Sequence, residues 1–211
     1  MNAGRAMAVG GFLIGGGALV LQFFLTLSLR LGEQGDSLVG TLLFFFTFYT
    51  ILTNIMLVLI YLSEFLPARW LDWWRSPVTR AMMAGAITLV AVFNHLLLRG
   101  LLELSGPSLF ADTLLHYVTP VYFVAWWLIF QPKGVLRLAD IPWMLLPTLI
   151  WLAWAMVRGA VVDQYPYPIL NATRLGYPQV ALNCLLVFIG LVAIYLVVVA
   201  LDRLLGRRQA A

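Results

Sequence analysis

The chain has 211 residues, 63% of them hydrophobic and only 10% charged, with a formal net charge of +4 and a mean hydropathy of +0.95. Ordinary soluble domains carry roughly a quarter charged residues, so a water-soluble globule is excluded, and crossings of roughly 20 apolar residues each leave room only for short connections. One cysteine, Cys184, inside an apolar run excludes a disulfide framework or a CxxC knuckle, and arginines placed beside apolar runs read as topology signals and lipid anchors, not as a nucleic-acid footprint.

Six apolar stretches follow one another: Ala8–Leu29, Leu38–Leu62, Ala81–Leu98, Leu109–Phe130, Ile141–Val157 and Tyr177–Leu201. Each is long enough, or nearly so, to span a bilayer. Polar or helix-breaking connections such as Arg30–Ser37 (RLGEQGDS), Pro67–Arg80 and Gln131–Asp140 separate them. The first stretch exceeds a signal-peptide core and no A-x-A site follows it, so it counts as a span. The expected fold is therefore all-α: a single domain, residues 1–211, forming an integral membrane bundle of six transmembrane helices. On alternate sides, Arg5, Arg69, Arg75, Arg80, Lys133, Arg137, Arg203, Arg207 and Arg208 face Arg30, Arg99, Arg158 and Arg174. Nine cations against four place both termini in the cytoplasm of a multi-pass cell-membrane protein.

Trp70, Trp73 and Trp74, beside Arg69 and Arg75, read as interfacial anchors. Gly11 and Gly15 form a G-x-x-x-G that permits close helix approach, either within the chain or across a homodimer. Pro120 and Pro147 fall inside spans and are expected to kink them. No internal repeat favours an inverted-repeat transporter.

Polar side chains at membrane depth need a partner or a function. The second span carries Thr47, Thr50, Thr53 and Asn54, with Thr47, Thr50 and Asn54 on one helical stripe expected to face the bundle interior. Lipid contact is then expected at Phe45, Tyr49, Ile51 or Met56. The third span has Asn94 and His95, the fourth His116, and the last Asn183. Asp112, one turn before His116, can fix the imidazole tautomer, and a threonine hydroxyl from another helix would complete a nucleophile and base for acyl transfer. Asn54, Asn94 and Asn183 are candidate donors to an oxyanion. The competing reading is that all these groups are interhelical glue. Two histidines without H-x-x-x-H or clustered carboxylates fall short of a metal site, spacing gives no signal for bis-histidine haem, and no cofactor is expected.

Phe48–Asn54 (FYTILTN), His116–Pro120 (HYVTP) followed by Ala125–Phe130 (AWWLIF), and Tyr165–Asn171 (YPYPILN) resemble the six-span prokaryotic membrane proteins related to the androgen-induced-gene and FAR-17a family. Eukaryotic members are threonine hydrolases of fatty acid esters of hydroxy fatty acids. The resemblance implies an intramembrane threonine nucleophile at Thr50 and a histidine base at His116, acting on an amphiphilic lipid ester drawn from the bilayer. It also implies a cavity open to the outer leaflet, with Tyr165–Pro168 shaping its mouth. A straight second span would put Thr50 about 18 Å from its outer end and His116 about 10 Å from the start of the fourth, with Thr47 nearer in depth. The alternative function is a non-catalytic lipid or small-molecule binding or carrier protein using the same cavity.

Overall fold

The computed structural model describes residues 2–101 and 103–209, with side chains as far as Arg207; Arg208, counted among the topology cations, lies outside the described side chains. Among the described residues the fold is entirely helical, without strands. Five helical stretches, Ala3–Glu33, Pro77–Leu98, Gly106–Phe130, Leu138–Val162 and Tyr177–Arg207, are long and apolar enough to cross a membrane, and a bent helix pair makes up to six.

Helix α1 (Ala3–Leu27) begins where the Asn2 side chain accepts the Arg5 N–H at 2.9 Å, satisfying one of the unpaired donors of the first turn. Its buried residues include Ala8, Gly11, Gly15 and Ala18, a stripe of small residues at helical spacing. Onto this stripe packs α3 (Tyr49–Phe65), with Tyr61 over Gly11 and Val58 over Gly15. The G-x-x-x-G thus packs against α3 within the chain.

The second span is not one helix, contrary to the sequence expectation. α2 (Leu38–Phe45), capped by the Ser37 hydroxyl, ends at the aromatic run Phe44–Phe48, and α3 resumes at Tyr49 after a bend of 75°. Aromatic residues are mediocre helix formers, and here their rings pack edge-on instead, Phe23 on Phe45 at 5.2 Å and Phe44 on Phe48 at 4.9 Å. Broken backbone survives at membrane depth only where neighbours satisfy its polar groups. The Trp151 indole N–H donates to Thr47 O at 2.8 Å, and the Thr50 N–H donates to the Tyr167 hydroxyl at 3.4 Å. The predicted stripe of Thr47, Thr50 and Asn54 is accordingly interrupted, although all three side chains are buried. Phe45, Tyr49 and Ile51, expected to meet lipid, are buried too and Met56 partly so, because α3 is enclosed by α1 and α5 (Pro77–Phe93).

A short helix, α4 (Asp72–Arg75), folds back beneath α3 through Arg75, which donates to the carbonyls of Ser63 and Ala68. Trp70 and Trp73 are exposed, whereas Trp74 packs on the core. The fourth span is α6 (Gly106–Thr113), a π-helical turn at Leu114–Val118, then α7 (Thr119–Phe130). Pro120 lies inside the continuous helical stretch Gly106–Phe130, two residues after the π-helical turn. α8 (Ile141–Val162) runs through Pro147 as one helix; α9 (Ala172–Leu175) and α10 (Tyr177–Gln209) complete the chain. Hydrogen bonds from Arg5 to Glu64 O, Arg80 to Glu64 and Gln131, and Gly134 N to Asp202 O gather both chain termini at one end of the bundle. The core between is aromatic: Tyr61 meets Phe123 and Trp126 edge-on, and Gly85 makes room for the Tyr195 ring.

Candidate functional site

The bend at Phe46–Phe48 brings the start of α3, with Thr50 in its first turn, against the π-helical turn that carries His116. Depths counted along a straight helix do not apply across such a bend, and the separation expected between the two residues vanishes. Thr50 Oγ1 lies 3.1 Å from His116 Nε2. On its other side the ring is held by Asp112, with Nδ1 2.9 Å from the carboxylate Oδ1 and 3.1 Å from the backbone O. Two acceptors on Nδ1 place the proton there. Nε2 is then free to accept from Thr50, the tautomer a general base requires.

Within the π turn the Thr119 N–H donates to Leu114 O. Pro120 cannot donate to Leu115 O, the acceptor five residues before it. That carbonyl instead accepts from the Asn54 amide at 3.2 Å and from the Thr119 hydroxyl at 3.3 Å. Asn54 also donates to Thr50 O at 2.8 Å, so one buried amide ties the turn that carries Thr50 to the one that carries His116. Wider turns of this kind shift side-chain register and recur at functional sites.

The other candidates fall elsewhere. The Thr47 hydroxyl bonds to Leu43 O and that of Thr53 to Tyr49 O and Thr50 O, back-bonds that leave neither facing His116. Asn183 donates to Ile169 O, and Asn94 is buried outside the cavity lining. His95 is exposed, its ring edge-on to Tyr117 at 6.3 Å. None of the three asparagines aims an amide at the cavity beside Thr50. The donor there is Tyr167, whose hydroxyl sits 3.4 Å from Thr50 Oγ1. Burial pushes its phenol up while the bonds with Thr50 oppose this, so the group remains a neutral O–H. Rings of Phe48, Phe93 and Trp151 surround it. The YPYP motif marked this loop, but nothing in the sequence singled out Tyr167 over Tyr165, which packs over Gly159.

Thr50, His116 and Tyr167 lie on the wall of a partly open cavity of about 80 Å³. Most of the remaining wall is apolar, from Leu89, Phe93, Leu152 and Leu191 among others, with Cys184 and the Tyr49–Thr148 hydroxyl pair at 2.7 Å as further polar interruptions. Two wall residues, Leu149 and Phe188, are 43% and 36% exposed on the outside of the bundle, so the cavity communicates with the membrane-facing surface. Among the described residues no group of three or more His, Cys, Asp or Glu comes together as a metal site would require. Comparison of the chain with family models, curated proteins and solved structures gives no match.

Proposed function

We propose that the chain is a six-span membrane protein with both termini in the cytoplasm, and that it hydrolyses lipid esters with Thr50 as nucleophile and His116 as base. The carrying observation is the line Asp112–His116–Thr50, with 2.9 Å and 3.1 Å links, at the wall of an apolar cavity. Fatty acid esters of hydroxy fatty acids are the substrate class that the family resemblance suggests.

Thr50 Oγ1 attacks the ester carbonyl carbon as its proton passes to His116 Nε2, and Asp112 stabilises the imidazolium that forms. The carbonyl oxygen, now an oxyanion, turns to the Tyr167 O–H and the Thr50 N–H. These two groups bond to each other at 3.4 Å and are the donors available to the oxyanion as charge develops. Collapse expels the alcohol, which takes the proton from His116. Water, deprotonated by His116 in turn, then cleaves the acyl-threonine to release the acid and restore Thr50. Incubating purified protein with a panel of lipid esters, comparing wild type with Thr50→Ala and His116→Gln, tests this reading. Unchanged hydrolysis in either folded variant refutes it.

The apolar character of most of the cavity wall also suits a non-catalytic lipid binder or carrier. A binder tolerates Thr50→Ser and the loss of imidazole basicity without loss of ligand, whereas a hydrolase needs His116 intact.

A further inference from the structure

At the end of the bundle away from the termini, two arginines converge on one neutral oxygen. Arg158, in the last turns of α8, donates to Gln164 O at 2.9 Å and to Gln164 Oε1 at 3.2 Å. Arg30, in the π-helical continuation of α1 (Ser28–Glu33), reaches the same Oε1 at 3.4 Å. Arg30 is paired with Asp36, yet its Nε is buried without a partner. Arg158 is 9% exposed, and among the described residues no carboxylate lies within 4.0 Å of it. Two guanidinium groups and one carboxylate leave a net positive charge where burial makes an unmatched cation costly. A clamp built only for stability would not bring two like charges to one amide.

We infer that Arg30 and Arg158 form a subsite for an anionic head group, a carboxylate on the amphiphile that occupies the cavity, with the exposed Gln164 amide oxygen holding the place of a carboxylate oxygen. Guanidinium forks match carboxylates geometrically and keep their charge when buried. Neither arginine lines the cavity; two runs of packed aromatic rings relate the subsite to the reactive pair. Arg158 is seven residues, or about 10 Å of helix rise, beyond Trp151 on the same face of α8, and Trp151 borders Tyr49 and Tyr167. Arg30 lies over the Phe44 ring at 4.2 Å, Phe44 packs on Phe48, and Phe48 packs on Tyr167. Trp151 lines the cavity, so an amphiphile lying along it would carry its anion at the arginines and its chain into the cavity. The anion site rests on these contacts alone; only the placing of an ester at Thr50 depends on the hydrolase reading.

The test uses the full chain in nanodiscs of neutral phospholipid, with quenching of tryptophan fluorescence by 9,10-dibromostearate and by 9,10-dibromostearyl alcohol. The Thr50→Ala protein is titrated as well, so that binding is read without turnover. The expected result is a preference for the carboxylate of about tenfold or more in both proteins, lost in Arg158→Gln. Arg158→Lys, which keeps the charge without the fork, retains part of it. Gln164→Ala, which removes the place-holding oxygen and leaves both arginines, binds the carboxylate at least as tightly as wild type. Equal binding of acid and alcohol by the wild type, or an undiminished preference in folded Arg158→Gln, overturns the subsite, as does full displacement of the bound acid by an equal concentration of inorganic phosphate. Loss of ester hydrolysis with the carboxylate preference intact would instead remove the hydrolase reading and leave the anion site standing.

Discussion

Removing the Asp112 carboxylate should slow ester cleavage by a limited and calculable amount. His116 Nδ1 has two acceptors, the Asp112 side chain at 2.9 Å and the Asp112 backbone carbonyl at 3.1 Å. Asp112→Ala takes away only the first. The carbonyl continues to hold the Nδ1 proton, so the reactive tautomer survives, and the fall of about 10⁴ that follows a wrong tautomer in serine proteases is not expected. What disappears is a hydrogen bond to a charged group, worth about 1.5–3 kcal/mol, at the stage when the imidazolium forms. That corresponds to a decrease of roughly 10- to 150-fold in kcat with KM little changed, since Asp112 touches no substrate in the proposed mechanism. Steady-state hydrolysis of a 4-nitrophenyl ester of a medium-chain acid in mixed micelles measures it, with Asp112→Asn as a companion. A fall of a thousandfold or more would show that the carbonyl does not hold the ring. A change below about threefold would remove Asp112 from the site.

Gly11→Ala and Gly16→Ala should differ in effect although they lie on one helix. A Cβ at Gly11 overlaps the Tyr61 ring, while one at Gly16 has nothing within 4 Å; thermal unfolding in detergent should show a loss of about 1–3 kcal/mol for the first and no loss for the second. Equal effects would contradict the packing of α1 on α3. Asn54→Leu, similar in size, removes the amide's bonds to Thr50 O and Leu115 O and leaves the Thr119 hydroxyl only Leu115 O as acceptor; it should cost about 1–3 kcal/mol, with a wild-type melting point as the refuting result. Burial lowers the Lys133 ammonium to about 8 even though Asp202 opposes it. The unfolded chain, with an ordinary lysine, therefore binds more protons between pH 8 and about 10.5, and this group makes the fold more stable as pH rises through that window. The slope of melting temperature against pH should flatten in Lys133→Met, and an identical slope would dismiss the effect.

The apolar spans and the short roster of polar residues inside them were readable because hydropathy and the cost of buried polarity act locally along the chain. The break in the second span was not. Phe44–Tyr49 (FFFTFY) is as hydrophobic as any membrane helix, and what ends the helix there is an indole donor from Trp151 and a phenol from Tyr167, each about a hundred residues away. The same distance effect hid the asparagines' duties. Asn54 was legible as a polar group needing partners, but that its partners are the carbonyls of Thr50 and Leu115 depends on the π turn before Pro120. Thr47 and Thr53 were equal rivals of Thr50 by composition. Only their back-bonds to Leu43, Tyr49 and Thr50 distinguish spectator hydroxyls from the one that meets an imidazole.

Leu149 and Phe188 stand both on the cavity wall and on the outside of the bundle. For the proposed lipid ligand, entry past them would exchange one hydrocarbon surrounding for another, so little hydrophobic driving force would separate bound from free. The concentration that governs occupancy is then the mole fraction of ligand among its neighbouring lipids, not its molarity in the tube. Diluting the bilayer with inert lipid at constant total ligand should weaken saturation, whereas diluting the whole sample with buffer should leave it nearly unchanged.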